Sequence, residues 1–299
     1  MDLAGILPAL TTPFAPDGTV SIDGMKQNIR RYNDTGLAGY VVLGSTGESV
    51  LLQRDEMDRI LAAVKETASS SKKLIAGTGA ESTAETIERT RRAATLGYHL
   101  ALVKTPFYYK PAYKPDVLMA HYRRVADESP IPILLYSVPI FTGLALESPE
   151  TIALAAHSNI VGIKESSGNI QRISEMIAGA PSQFQVLVGA ASTVYPSLAV
   201  GARGAILALA SALPEKCVSL FELFRQGRTD AARQLQQLLM QASRLIVSEA
   251  GIAGVKYVMD QRGYSGGIPR LPLQPLSAEQ KARLNAFLAT LGQPAGVSA

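Results

Sequence analysis

The sequence contains a single cysteine, Cys217, among its 299 residues. One cysteine can form neither an internal disulfide nor a cysteine-based metal site. So few cysteines are typical of proteins that work in a reducing compartment. The first residues include Asp2 and Pro8 and lack a basic segment followed by a long apolar one, so no signal peptide is predicted. We therefore expect a cytoplasmic protein without disulfides.

Long apolar runs and blocks of like charge are also missing. The most apolar long stretch, residues 194–213, is interrupted by Pro196, Gly201, Arg203 and Gly204, which makes it a poor membrane span. Lysine and arginine number 29 against 25 aspartates and glutamates, and these basic residues are scattered rather than clustered. We therefore expect neither a membrane nor a nucleic acid as a partner.

The three histidines are not spaced as metal ligands. His99, His121 and His157 are far apart in the sequence, and no acidic cluster accompanies any of them. We interpret all three as structural or surface residues, and we predict no metal site.

What the chain does contain is a regular alternation of short apolar runs and amphipathic segments. Eight runs are continuously apolar, which is typical of strands buried on both faces. Helix-start signals lie between them, such as Ser82 with Glu85 and Ser148 followed by Pro149. The eight runs are ILPALT (6–11), GYVVLG (39–44), KLIAG (73–77), LALVK (100–104), PILLYS (132–137), IVGIKE (160–165), QVLVG (185–189) and GAILAL (204–209).

Eight strand–helix units in succession predict an α/β fold, the (β/α)8 barrel. A doubly wound open sheet is the alternative, because the number of strands does not by itself close a barrel. After Leu213 only helices are predicted, at about 214–226, 229–249, 252–262 and 277–291. We expect the first of these to complete a barrel of residues 1–226 and the others to form a C-terminal helical extension, residues 227–299.

Two lysines end apolar strands on the side of the barrel where active sites lie, at the carboxyl ends of the strands. These are Lys104 and Lys164. A neutral lysine amine can attack a ketone and form a Schiff base, but an ordinary lysine, with a pKa of about 10.4, must be desolvated to be neutral near pH 7. A lysine that simply reaches into solvent from a strand end is the alternative. The pattern alone does not separate the two lysines.

Tyrosines at strand ends are candidate proton carriers. Tyr108, Tyr109 and Tyr136 can move a proton to or from a substrate oxygen through a hydroxyl such as that of Ser45. Ordinary aromatic packing is the alternative for each.

The segment GSTGE, residues 44–48, follows the second strand and supplies hydroxyl groups between glycines. If it opens a helix, its backbone N–H groups suit a carboxylate or phosphate. A simple turn with a Ser/Thr cap is the alternative. We interpret Glu48 as a favourable charge in the first turn of that helix rather than as a catalytic acid.

Together these motifs resemble the pyruvate-dependent, Schiff-base-forming aldolase and lyase superfamily that contains dihydrodipicolinate synthase and N-acetylneuraminate lyase. The resemblance covers about residues 7–291. It rests on GSTGES (44–49), AGTGA (76–80), VKTPFYYK (103–110), LLYSVPIFTG (134–143) and VGIKESSGN (161–169).

The resemblance implies that Lys164, in the GIKE motif, forms the imine with pyruvate, so that no metal or organic cofactor is needed. It implies that Tyr136 is the catalytic tyrosine and that Ser45 and Tyr108 complete its proton relay. Tyr108 would come from a neighbouring subunit, since family members are commonly homotetramers built from tight dimers. Ser45 and Thr46 would bind the pyruvate carboxylate.

Within the superfamily, the subgroup most similar to the chain is 4-hydroxy-2-oxoglutarate aldolase. Dihydrodipicolinate synthases carry an arginine in a YNVPxRTG pattern, where this chain has Phe141, and a ring offers no cationic fork to a carboxylate. The subgroup also implies that Ser166 contacts the distal carboxylate or hydroxyl of the substrate, and we take Gly189 as a substrate-binding position. Thr46 and Phe141 depart from the subgroup, which has asparagine and a smaller polar residue there. The similarity rests on SPIPILLYSVP (129–139), GIAGVKYVMD (251–260) and GYSGGIPRLPLQ (263–274).

We therefore expect a class I aldolase that cleaves a 4-hydroxy-2-oxo acid, with 4-hydroxy-2-oxoglutarate giving pyruvate and glyoxylate. Condensation as in dihydrodipicolinate synthase and cleavage of a 2-keto-3-deoxy sugar acid are alternatives within the superfamily. Two further alternatives are a pyridoxal-phosphate barrel, which also uses a lysine imine, and a non-catalytic barrel that binds pyruvate-like acids.

Overall fold

A computed structural model describes residues 1–291, and the predicted C-terminal extension is described only to Leu291. Eight parallel strands form one sheet in the order β1-β8-β7-β6-β5-β4-β3-β2. An isolated bridge between Ala9 and Val41 brings the two edges of the sheet together, and the Leu10 amide donates to the Val41 carbonyl at 2.9 Å. The predicted (β/α)8 barrel is therefore confirmed in place of the open sheet. The strands are β1 (Gly5–Pro8), β2 (Gly39–Val42), β3 (Lys73–Gly77), β4 (Leu100–Lys104), β5 (Ile133–Ser137), β6 (Ile160–Glu165), β7 (Gln185–Val188) and β8 (Gly204–Leu207).

Helices alternate with the strands and then continue alone after β8, as predicted. The four helices expected after Leu213 are all present, and the second of them changes to a π-helix over its last part, Ser243–Glu249. The α-helices are α1 (Ile22–Tyr32), α2 (Arg54–Thr67), α3 (Thr83–Thr95), α4 (Pro115–Glu128), α5 (Pro139–Thr142), α6 (Ser148–Leu154), α7 (Ile170–Gly179), α8 (Val194–Ala199), α9 (Leu209–Ala212), α10 (Pro214–Arg225), α11 (Thr229–Ala242), α12 (Gly251–Gln261) and α13 (Ala278–Leu291).

The continuous apolarity of the strands follows from two separate cores. One face of the strands fills the barrel interior with side chains such as Leu102, Leu134 and Ile206. The other face packs against the surrounding helices, with side chains such as Val103 and Leu135. Because successive side chains of a strand point to opposite faces, each strand must be apolar at every position to fill both cores.

The helix-start signals had different outcomes. Ser82 caps α3 as predicted, since its hydroxyl accepts from the Glu85 amide at 3.1 Å. Ser148 does not cap α6. The helix already begins at Ser148, and its hydroxyl donates to the Glu175 carboxylate at 2.7 Å.

The interpretation of Glu48 as a first-turn helix charge was wrong. The segment after β2 forms two short 3₁₀ turns, Ser45–Gly47 and Ser49–Leu51, and α2 begins only at Arg54. Glu48 lies between the turns with φ of 55°, in the left-handed region that few non-glycine residues occupy. Its carboxylate is buried, so its role is set by distant partners rather than by a helix.

Those partners come from the C-terminal part of the chain and form a charged clamp of Glu48, Glu56, Lys256 and Arg270. The Lys256 ammonium lies 2.5 Å from the Glu48 carboxylate and donates to the Ile268 carbonyl at 2.6 Å. The Arg270 amide donates to Glu48 at 2.8 Å, and its guanidinium makes two 2.6 Å bonds to Glu56. Burial lowers the pKa of Lys256, and the Glu48 carboxylate opposes that shift. The clamp thus ties the segment after β2 to α12 and the loop that follows it.

Two statements apply to residues 1–291 only. None of their helices is both long and apolar enough to cross a membrane. No three histidine, cysteine, aspartate or glutamate side chains among them are grouped so as to hold a metal ion.

Removing the ammonium of the clamp should leave Glu48 buried without its cation. We expect Lys256→Met to lower the free energy of unfolding by about 3–5 kcal/mol, measured by urea titration. The double variant Glu48→Gln/Lys256→Met should recover much of this loss, because no lone charge is then buried. Lys26, whose 2.7 Å pair with Glu66 is at the surface, is the matched control. Lys26→Met should change stability by less than about 1 kcal/mol, and an equal effect of both lysine variants would contradict the clamp.

Acid should destabilise the fold through His121. Burial, together with the charge of Lys104, lowers the pKa of His121 to about 4 from its ordinary 6.5. Below pH 6.5 the unfolded chain therefore binds a proton that the folded one does not, and stability is lost as the pH falls from 6.5 to 4, by about 3 kcal/mol in full. We expect His121→Gln to flatten this part of a stability–pH curve. An unchanged slope between those pH values would show that His121 is not the group responsible.

Candidate active site

The register of the barrel places Lys164 on the inner face. Residues Tyr136 of β5 and Lys164 of β6 are paired across neighbouring strands, and Leu134, two residues before Tyr136, is in the interior core. The Lys164 side chain is only 4% exposed, and its ammonium lies 4.2 Å from the centre of the Tyr136 ring. Within residues 1–291 no carboxylate is within ion-pairing distance of Lys164. The strand-end lysine is therefore directed into the barrel mouth and not into solvent.

A cavity of about 540 Å³ opens at the carboxyl ends of the strands, in front of this lysine. Its volume is within the range of small-molecule sites. Six of the eight predicted site residues line it, each from the end of a strand or the loop that follows. They are Thr46, Tyr136, Phe141, Lys164, Ser166 and Gly189.

Ser45 lies next to this cavity rather than in its wall. Its hydroxyl oxygen is 3.4 Å from the Tyr136 hydroxyl oxygen, at the outer limit of a hydrogen bond. Ser45 follows β2 in the segment that Glu48 holds to the C-terminal helices. Two hydroxyls of the predicted relay thus lie close together within one chain, and the relay itself stays a prediction.

Tyr108 is not brought to the cavity by its own chain. Its side chain is 72% exposed and packs against the ring of Tyr109, with ring centres 4.9 Å apart. Its backbone amide donates to Glu81 at 2.9 Å, which fixes the loop but turns the phenol outward. That Tyr108 completes the relay in the site of a neighbouring subunit stays a prediction.

The structure distinguishes the two candidate lysines. Lys104 flanks Tyr136 on the other side, from β4, but its ammonium donates to the Gly79 carbonyl at 3.0 Å. It also lies 5.1 Å from the centre of the Phe107 ring. Although burial lowers the pKa of Lys104, this residue does not line the large cavity, whereas Lys164 does.

Ser166 and Gly189 meet in the cavity wall. A Cβ on Gly189 would stand 1.8 Å from the Ser166 hydroxyl oxygen, so no larger side chain fits unless this contact moves. That hydroxyl is buried and has no hydrogen-bond partner within residues 1–291. A buried polar group without a partner is uncommon in proteins and is suited to bonding a bound molecule.

Many of the lining residues that sequence reasoning missed come from the C-terminal part of the chain. The π-helix Ser243–Glu249 and the start of α12 form another part of the cavity wall, and the loop after α12 adds Leu273 and Gln274. π-Helical turns are frequent at functional sites, but their local sequence carries no clear signal of them. These positions become lining residues only when the helices pack over the barrel mouth.

A family model described as the dihydrodipicolinate synthetase family matches residues 2–291. A relative from an Exiguobacterium strain, named 4-hydroxy-tetrahydrodipicolinate synthase, is 38% identical over 281 residues, which are 94% of this chain and 95% of that protein. The curated name is not that of the predicted subgroup, so the comparison does not confirm a special similarity to 4-hydroxy-2-oxoglutarate aldolase.

Solved structures match over nearly the whole chain. A dihydrodipicolinate synthase from Bacillus anthracis has a TM-score of 0.93 at 26% identity, covering 98% of this chain and 99% of that one. YagE of E. coli K12, described as a member of the dihydrodipicolinic acid synthase family in complex with pyruvate, has a TM-score of 0.90 at 28% identity, covering 97% and 98%.

The Ser166–Gly189 contact generates a test that needs no substrate. We expect Gly189→Ala to lower the free energy of unfolding by about 1–3 kcal/mol, because the added methyl group overpacks the wall. Ser166→Gly removes the atoms that this methyl meets, so the double variant should be more stable than the sum of the single effects. Urea titrations of the four proteins give the coupling energy. Strictly additive effects would mean that the two residues do not touch.

Proposed function

The chain belongs to the dihydrodipicolinate synthetase family, and from that premise we propose that it is a pyruvate-dependent lyase with Lys164 as its Schiff-base residue. Members of the family are enzymes of the class I aldolase type. The observation that carries the proposal is the buried amine of Lys164 beside the Tyr136 ring, in a cavity wall without an ion-paired carboxylate among residues 1–291. Bound pyruvate in the similar YagE structure supports a 2-oxo acid as the ligand.

In the proposed reaction the Lys164 amine attacks the C2 ketone of pyruvate, and loss of water gives an iminium. The iminium withdraws electrons from C3, so loss of a C3 proton gives an enamine, which is the nucleophile. Tyr136, through Ser45, carries the protons that the substrate oxygen gains or loses. Thr46 and Ser45 bind the carboxylate with their hydroxyls. Because the iminium is itself the electron sink, the proposal includes no metal and no organic cofactor.

The enamine serves condensation with an aldehyde and, in reverse, cleavage of a 4-hydroxy-2-oxo acid. The name of the Exiguobacterium relative supports condensation as in the synthase more than cleavage of 4-hydroxy-2-oxoglutarate. We therefore place synthase-type condensation of pyruvate with an aldehyde first and the aldolase second. Both proposals share the pyruvate half of the site.

A homotetramer, built as a dimer of tight dimers, is part of the same proposal. The exposed phenol of Tyr108 does not line the cavity of its own chain, which supports its donation to the site of a neighbour. A cytoplasmic location is proposed from the single cysteine, Cys217, which is buried.

Trapping of the imine tests the proposal. The protein would be incubated with pyruvate and reduced with borohydride, and modified peptides located by mass spectrometry. We expect one reduced pyruvate on the peptide that contains Lys164, and none in the Lys164→Ala variant.

Lys104→Met is the matched control, since Lys104 also flanks Tyr136 but lies outside the cavity. It should still be modified at Lys164. Absence of any adduct, or an adduct on Lys104, would refute the assignment and return a non-catalytic acid-binding barrel to consideration.

A further inference from the structure

Few ionisable side chains line the cavity in front of Lys164. Within the part of the chain that the structure describes, Lys164 is the only basic side chain in the cavity wall, and no acidic side chain lines it. The other polar lining groups are the phenol of Tyr136, hydroxyls and one amide. They are Thr46, Ser166, Ser167, Ser192, Ser243, Ser248 and Gln274.

Large apolar side chains line the cavity and are exposed to solvent. Ile140 is 79% exposed and Phe141 is 62% exposed, and both line the cavity from the short helix α5. Val247, Ile252 and Leu273 add apolar surface from the C-terminal part of the chain. Adjacent exposed apolar side chains at a concave site are typical of ligand contact.

Two neighbouring cations, Arg172 and Lys110, lie outside the cavity wall. Arg172 pairs with Glu147 at 2.8 Å and approaches Glu165 at 3.7 Å. Lys110 folds against Gly143, with its ammonium 2.8 Å from the place where a Cβ on that glycine would stand, and it is not part of the cavity wall. Neither residue therefore supplies a positive charge to the cavity wall.

The charge of the occupied cavity distinguishes aldehydes that carry a carboxylate from those that do not. In the proposed imine the positive iminium at Lys164 is balanced by the one carboxylate of pyruvate. Loss of the C3 proton then leaves a neutral enamine nitrogen, so the cavity that receives the aldehyde has no positive charge. An aldehyde with its own carboxylate would add an anion to a largely apolar wall without a cation to pair with it. Burying an unpaired charge costs several kcal/mol, whereas an uncharged aldehyde adds no charge to the cavity.

Resting on the proposed imine chemistry of Lys164, we propose that the aldehyde partner of this enzyme is uncharged and apolar, an aliphatic or aromatic aldehyde, and that Phe141 sets this preference. The inference shares the pyruvate half of the two reactions ranked above and replaces the carboxylated aldehyde that each of them requires. Enamine C3 attacks the aldehyde carbon and forms the C3–C4 bond. The aldehyde oxygen takes its proton through Tyr136, and water then hydrolyses the iminium. The product is a 4-hydroxy-2-oxo acid with an apolar group on C4, and cleavage is the reverse of these steps.

Pairs of aldehydes that differ in one carboxylate test this inference. Benzaldehyde against 4-formylbenzoate and butanal against 4-oxobutanoate would each be added to pyruvate and enzyme, with products measured by liquid chromatography and mass spectrometry. We expect kcat/KM to favour the uncharged member of each pair by at least about tenfold, which corresponds to about 1.4 kcal/mol. A preference for the carboxylated members would overturn the inference.

Variants at the mouth show which residue sets the preference. Phe141→Arg should shift the ratio toward the carboxylated aldehydes by at least about tenfold, because it adds a cationic fork. The matched variant Phe141→Leu removes the ring without adding charge and should keep the preference for the uncharged member. If Lys110→Met removes a measured activity on carboxylated aldehydes, Lys110 is the cation of the site and the inference is wrong.

Borohydride trapping with pyruvate alone, run on every variant, separates the two levels of proposal. If the native protein forms no pyruvate adduct, the proposed function itself fails. If the adduct forms and the carboxylated aldehydes are still preferred, only the inference about the aldehyde fails.

Discussion

The burial of the Lys164 amine inside a barrel mouth is the constraint on which the rest of the site depends. Strand alternation puts Lys164 on the inner face beside Tyr136, and the parallel register brings the two side chains level. An amine in this position is removed from water without an ion-paired carboxylate among residues 1–291. An amine at the wall of the cavity can reach the carbonyl carbon of a bound molecule, as Schiff-base formation requires.

The charged clamp lets the cavity remain almost free of charge. Glu48, Lys256 and Arg270 satisfy one another behind the segment that carries Ser45 and Thr46, and Arg270 extends the contact to Glu56. The clamp holds that segment against the C-terminal helices, which form another part of the cavity wall. These strong electrostatic contacts thus fix the position of the segment, whereas the cavity wall presents hydroxyls and apolar side chains. This separation explains how one buried lysine can dominate the chemistry of the site.

Much of the fold and of the site could be predicted because the signals are local. Each continuously apolar run contains a strand, and six of the predicted residues line one cavity because the carboxyl ends of parallel strands meet. Glu48 was misread because its left-handed backbone and its partner Lys256 depend on contacts between distant segments. The lining of the cavity by the π-helix was missed for the same reason. Tyr108 cannot be placed from one chain, since its predicted partner belongs to another subunit.

By itself the sequence determined where strands and helices lie along the chain, the end of each strand at which polar side chains gather, and the superfamily that the chain resembles. These properties follow from the spacing of apolar and polar residues along the chain and from motifs of a few adjacent residues. The strand-end pattern does not separate Lys104 from Lys164 and the resemblance implies Lys164, but only the tertiary structure shows what surrounds each lysine. Lys104 donates to the Gly79 carbonyl, whereas Lys164 faces the cavity. The tertiary structure also decided that Lys164 is the only basic side chain in this cavity wall within residues 1–291, because the wall is assembled from segments whose meeting depends on long-range packing.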